Sequence, residues 1–103
     1  MTGERVGQPM SDSDVASAID AFARAASDAG RLGFDAIELM GAHGYLTNEC
    51  FYDHLNLRDD GYGGSTLHPS STLIEPSRLA VEILRAVRSA VSPGFTVNLR
   101  LSQ

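Results

Sequence analysis

His43 and Tyr45 stand two residues apart just past an apolar run, Phe34-Asp35-Ala36-Ile37-Glu38-Leu39, in the segment Met40-Gly41-Ala42-His43-Gly44-Tyr45-Leu46. An imidazole gains or loses a proton near neutral pH, and a phenol with an ordinary pKa of about 10 arrives there as a neutral donor. Parallel α/β folds place such groups where a strand ends and a long loop begins. Taken alone, His43 also reads as a polar loop histidine, and Tyr45 as a packing aromatic whose hydroxyl reaches water. A second cluster follows, Asn56-Leu57-Arg58-Asp59-Asp60-Gly61-Tyr62-Gly63-Gly64-Ser65. Asn56, Arg58 and Asp60 suit a hydrogen-bonded scaffold for the loop. Gly61 to Ser65 lacks the lysine of a phosphate-binding loop and reads as a turn. The spacing of His43, Cys50, Asp53, His54 and His68 fits no zinc pattern, so no metal is expected. Cys50 reads as a buried small apolar group.

The elements that must carry these residues follow from the patterning. Ser11 with Asp14 three places on resembles a capping box, with aspartate in place of the usual glutamate or glutamine. Val15, Ile19, Phe22 and Ala26 then recur at helical spacing, and the pattern stops at Leu32-Gly33, where glycine takes a left-handed C-terminal conformation. A strand is predicted over Phe34 to Leu39. A second helix begins near Pro76, since proline suits a first turn whose N–H groups have no helical partner. Its stripe is Ala80, Leu84, Val87 and Val91, widened by Leu79 and Ile83, and Ser92-Pro93-Gly94 ends it. Phe95 to Leu101 alternates apolar and polar residues as a strand does. Phe95, Val97, Leu99 and Leu101 share one face, and Thr96, Asn98 and Arg100 the other.

The order is thus helix, strand, long loop, helix, strand: an α/β chain whose two strands pair in parallel through a right-handed crossover. The stretch from Gly41 to Glu75 far exceeds the roughly 2–6 residues usual for such a loop, and loops of that size tend to be functional. In a closed barrel Ile37 and Leu39 would face the outer helices. Ala36, Glu38 and Met40 would face inward with Thr96, Asn98 and Arg100. Glu38 is then expected to be paired or multiply hydrogen-bonded inside the barrel, because an enclosed carboxylate needs a partner.

At 103 residues the chain is one domain or less. Its eight basic residues are all arginine and face 13 acidic ones, for a formal net charge of −5, so no basic cluster is present to track a phosphate backbone and no nucleic-acid partner is expected. No apolar run is long enough to span a membrane, and the N-terminus has no signal-peptide core. One cysteine suits a reducing compartment, and the expected location is cytoplasmic.

Ala42-His43-Gly44-Tyr45-Leu46, then Asn56, Arg58, Asp60 and Tyr62-Gly63-Gly64-Ser65, then Arg100-Leu101-Ser102 resemble the Old Yellow Enzyme family of NADH:flavin oxidoreductases. Phe22 and Ala25-Ala26 leading to Gly33-Phe34-Asp35 also resemble the segment before that family's fourth barrel strand. The resemblance implies a (β/α)8 TIM barrel binding FMN, of which residues 1–103 would be a partial domain around the fourth and fifth strands. A full barrel needs ~250 residues or more. It also implies reduction of an activated C=C bond in a small enone or enoyl substrate, with NAD(P)H as reductant. Tyr45 takes the place of the proton donor. His43 matches the second member of the carbonyl-binding pair. Arg100 matches an arginine that contacts the flavin ring near N1 and O2. Met40 would be an apolar wall of the cofactor site.

Three departures accompany the likeness. Met40 stands where the family's first histidine of the pair is usual, and a methionine ahead of Gly-Tyr-Leu gives some likeness to the 2,4-dienoyl-CoA reductase branch. Thr66 to Leu73 separate Gly-Gly-Ser from the helix, and Ile74-Glu75-Pro76-Ser77-Arg78 replaces the usual Leu-Glu-Asn-Arg. The family's later strands, which hold the flavin phosphate, have no counterpart in this stretch. A competing expectation is therefore a truncated, non-catalytic fragment that binds no flavin on its own. The resemblance leaves room for a homo-oligomer in a full-length parent.

Overall fold

Ser11 starts the first helix as its sequence demands. The Asp14 N–H donates to Ser11 Oγ at 3.1 Å, and the Ser11 N–H donates to Asp14 Oδ2 at 2.9 Å, so two N–H groups that the first turn would orphan are satisfied. The helix, α1, runs Asp12–Arg31. It ends in a Schellman motif: the Phe34 N–H donates to Ala29 O and the Gly33 N–H to Gly30 O. Gly33 has φ +98°, a left-handed conformation in which a Cβ would be strained.

The computed structural model describes residues 10–42, 46–49 and 74–101. After α1 come β1 (Ala36–Gly41), α2 (Leu46–Glu49), α3 (Ile74–Ala90) and β2 (Thr96–Leu101). β1 is expected from Phe34 but starts two residues later, because Gly33 and Phe34 are used in closing α1. The ladder opens where the Thr96 N–H donates to Asp35 O at 3.0 Å. α2 is a short helix within what the sequence suggests is loop, and it lies against β1. α3 begins at Ile74, so Pro76 is its third residue, still among the positions whose N–H has no helical acceptor.

β1 and β2 pair in parallel, in register from Ala36 opposite Thr96 to Gly41 opposite Leu101. The expected division of faces is present. Ile37, Leu39, Val97 and Leu99 pack toward the helices, with Val15, Ala26, Leu79, Ile83 and Val87 at the centre of the core. Of the stripe expected on α3, Leu79, Ala80, Ile83 and Val87 are buried, while Leu84 and Val91 are only half-buried. The two helices share the larger interface, and each touches the sheet less. Leu101, expected on the packed face, is 59% exposed at the strand's end.

Arg88 secures the entry to β2. Its Nη1 donates to Phe95 O at 2.7 Å and its Nη2 to Ser92 O, while the Phe95 N–H donates to Ser92 O. A cation in the last turn of α3 thus ties down carbonyls of the turn between α3 and β2.

Candidate functional site

Of the residues singled out for chemistry, Met40 and Arg100 lie within the described structure. His43, Tyr45, Cys50, the 56–65 cluster, His68 and Ser102 lie outside the described residues. Met40 is the penultimate residue of β1 and Arg100 the penultimate residue of β2, and the parallel register sets them directly opposite each other. Their side chains leave the sheet on the face away from the helices, because residues of even number in both strands point there. Both therefore stand at the carboxyl ends of adjacent parallel strands, where α/β proteins of both barrel and open-sheet type bind ligands.

Glu38 shares this face, two residues before Met40. Its Oε1 lies 3.7 Å from Arg100 Nε, and the two side chains are 52% and 53% exposed. The expected pairing of Glu38 is present. The expected enclosure is not: the carboxylate is half exposed and keeps much of its hydration. An ion pair this exposed contributes less than about 1 kcal/mol to stability. Met40 is 37% exposed beside it, which sets an apolar thioether next to a cation at one rim.

Gly41 follows Met40 and is buried. A Cβ at this position would lie 2.8 Å from Arg100 O, 3.1 Å from Leu99 Cδ1 and 3.2 Å from Leu101 Cδ2. Glycine thus lets β2 come close enough to set Arg100 beside Met40. A glycine within a strand is a signal for close backbone approach, but the strand expected from the sequence stopped at Leu39, two residues short of Gly41. Arg88 was legible as an arginine in a last helical turn, although it did not stand out beside the histidine and tyrosine.

A concavity of about 350 Å³ lies at the other end of the strands, lined by Gly30, Arg31, Phe34, Asp35, Ser92 and Phe95. It neighbours the amino ends of β1 and β2, the end that serves stability in barrel proteins, and no chemistry is assigned to it. Among the described residues, no group of three or more histidine, cysteine, aspartate or glutamate side chains is placed to hold a metal ion. No helix among them is long and apolar enough to cross a membrane.

The whole chain, residues 1–103, matches the model of the NADH:flavin oxidoreductase / NADH oxidase family. Among curated relatives, an NADH-dependent flavin oxidoreductase of Aspergillus parasiticus is 37% identical over 97 residues, covering 94% of this chain and 20% of that protein. An NADPH dehydrogenase of Clostridium acetobutylicum is 40% identical over 93 residues, 90% of this chain and 25% of that protein. A 12-oxophytodienoate reductase 1 of Oryza sativa subsp. japonica is 42% identical over 89 residues, 86% of this chain and 21% of that protein. The chain is a member of the NADH:flavin oxidoreductase, or Old Yellow Enzyme, family. It spans about a fifth to a quarter of the length of these three relatives.

The described residues fit a flavin at this rim. A half-exposed guanidinium suits an electron-rich ring edge that gains negative charge on reduction. The neighbouring thioether offers a polarizable apolar surface to a flat ring.

Proposed function

We propose that this chain contributes two neighbouring strands of a (β/α)8 barrel to an FMN-dependent NAD(P)H oxidoreductase that reduces activated C=C bonds. The observation that carries this reading is the register of Met40 against Arg100 at the carboxyl rim of two parallel strands. Arg100 and Met40 would hold the cofactor, Arg100 through its guanidinium and Met40 through its apolar surface. A flavin held there would supply hydride chemistry, with NAD(P)H as the reductant.

Two residues that follow β1 in the chain complete the chemistry. His43 donates a hydrogen bond to the substrate carbonyl oxygen, which favours the negative charge developing there. Tyr45 gives its phenolic proton to the α-carbon as hydride reaches the β-carbon, so the alkene gains one hydride and one proton. The substrate is a small enone or enoyl compound. The single cysteine and acidic balance support a reducing, cytoplasmic setting.

Titration with FMN tests the assignment. The protein is expected to quench flavin fluorescence and shift its visible spectrum, and Arg100→Ala is expected to weaken binding by about tenfold or more. Unchanged affinity in that variant contradicts the cofactor role of Arg100. The half-exposed Glu38 and Arg100 favour a second reading, in which residues 1–103 alone bind no flavin and the pocket closes only when further strands flank β1 and β2. Absence of binding by that stretch at micromolar FMN, with binding by a version continued through further strands, selects this reading.

A further inference from the structure

We propose that Glu38 is a positioning residue for Arg100, its charge beside Nε biasing the orientation in which the guanidinium offers its terminal nitrogens to the flavin. The inference rests on Arg100 being a cofactor-binding residue, as argued above.

The register places Glu38 opposite Asn98 and Met40 opposite Arg100, so the carboxylate reaches Arg100 along the diagonal between the strands. Diagonal neighbours lie within reach of long side chains. The Arg24–Asp20 and Arg31–Asp28 pairs are four and three residues apart along one helix, whereas Glu38–Arg100 joins two strands at the ligand-facing rim. A guanidinium carries five N–H donors in a rigid plane. A carboxylate 3.7 Å from Nε, an ion pair longer than a hydrogen bond, draws that edge of the plane toward itself and leaves the Nη donors for a ligand. An exposed pair of this kind adds little to stability. Its consequence is orientation: a pre-set arginine loses less rotamer freedom when the ligand arrives. Met40, on the same strand face, limits the space into which the guanidinium could otherwise swing.

The test is a double-mutant cycle on FMN affinity with wild type, Glu38→Gln, Arg100→Ala and the double variant. Glutamine keeps the shape of the side chain and removes its charge, which protects the fold. Glu38→Gln is expected to weaken FMN by about three- to tenfold in the presence of Arg100 and to have no further effect in its absence. In flavin-free protein the Arg100 Nε–Hε resonance is expected to exchange faster with solvent in Glu38→Gln. A merely structural role would give additive losses and leave that exchange unaltered. The proposal stands only if both effects appear. Additive losses, or an unmoved Arg100 resonance, overturn it. If Arg100→Ala binds FMN more weakly while Glu38→Gln does not, the proposal alone fails. If Arg100→Ala binds as wild type does, or a version continued through further strands binds no FMN, the cofactor reading fails and the proposal with it.

Discussion

Gly41 and Arg100 approach so closely across the parallel ladder that a Cβ on Gly41 would stand 2.8 Å from the Arg100 carbonyl oxygen. The obstructing atom is backbone, which cannot rotate away. Gly41→Ala is therefore expected to cost about 1–3 kcal/mol, as other small-to-large changes in packed sites do. Urea unfolding reads this loss. Gly94→Ala, where an added Cβ meets nothing within 4 Å, is the control and should stay within about 0.5 kcal/mol of wild type.

Two glycines at the end of α1 should respond with opposite sign. Gly30 is helical, and an added Cβ would make ordinary contact with Phe95 at 3.8 Å, so Gly30→Ala is expected to stabilise by about 0.5–1 kcal/mol. Gly33 sits at φ +98°, so Gly33→Ala is expected to destabilise by about 1–2 kcal/mol. Thermal unfolding of the two variants side by side checks the pair.

The capping box makes α1 sensitive to acid. The Ser11 backbone N–H, and then the Ser11 hydroxyl, bond the Asp14 carboxylate and hold its pKa below the ordinary 3.8, against a small opposing effect of desolvation. A depressed folded pKa means the contribution is complete above the unfolded pKa and lost as pH falls through the folded one. The advantage of wild type over Asp14→Asn should thus be full near neutral pH and shrink below about pH 4. Denaturant midpoints of both proteins across the acid range read it. An advantage that grows on acidification contradicts the assignment.

For the chemistry, Tyr45→Phe in the flavin-loaded protein is expected to slow reoxidation by alkene about 10²-fold or more, the usual contribution of a positioned proton donor. Flavin reduction by NAD(P)H should be spared. Stopped-flow measurement of the two half-reactions separates them, and equal loss in both contradicts a proton-donor role.

Much of the positioning scaffold was legible from residues alone. Ser11 and Asp14 announced the start of α1, Gly33 its end, and the alternation from Phe95 to Leu101 announced β2. The strand faces followed from period two, which put Met40 and Arg100 on one side before any register was known. Sequence did not set the start of β1, because a Schellman turn draws its last residue from what reads as strand. Nor did it give the depth of each residue on α3, since Leu79, Ala80, Ile83 and Val87 are buried while the equally apolar Leu84 and Val91 are half-buried, a difference set by packing and not by periodicity. Glu38 was expected to be enclosed, and its partner was found without the enclosure. Periodicity says which side a residue faces, and not what lies beyond it.

The ladder between β1 and β2 joins residues sixty positions apart, as with Ala36 and Thr96. No hairpin can nucleate such a sheet. Closing a loop of that length costs roughly 3–4 kcal/mol of chain entropy before the first rung forms, and α3 must dock on α1 to recover it. Folding of this unit should therefore be slow and late for its strands, with helix–helix collapse preceding assembly of the rim that carries Met40 and Arg100.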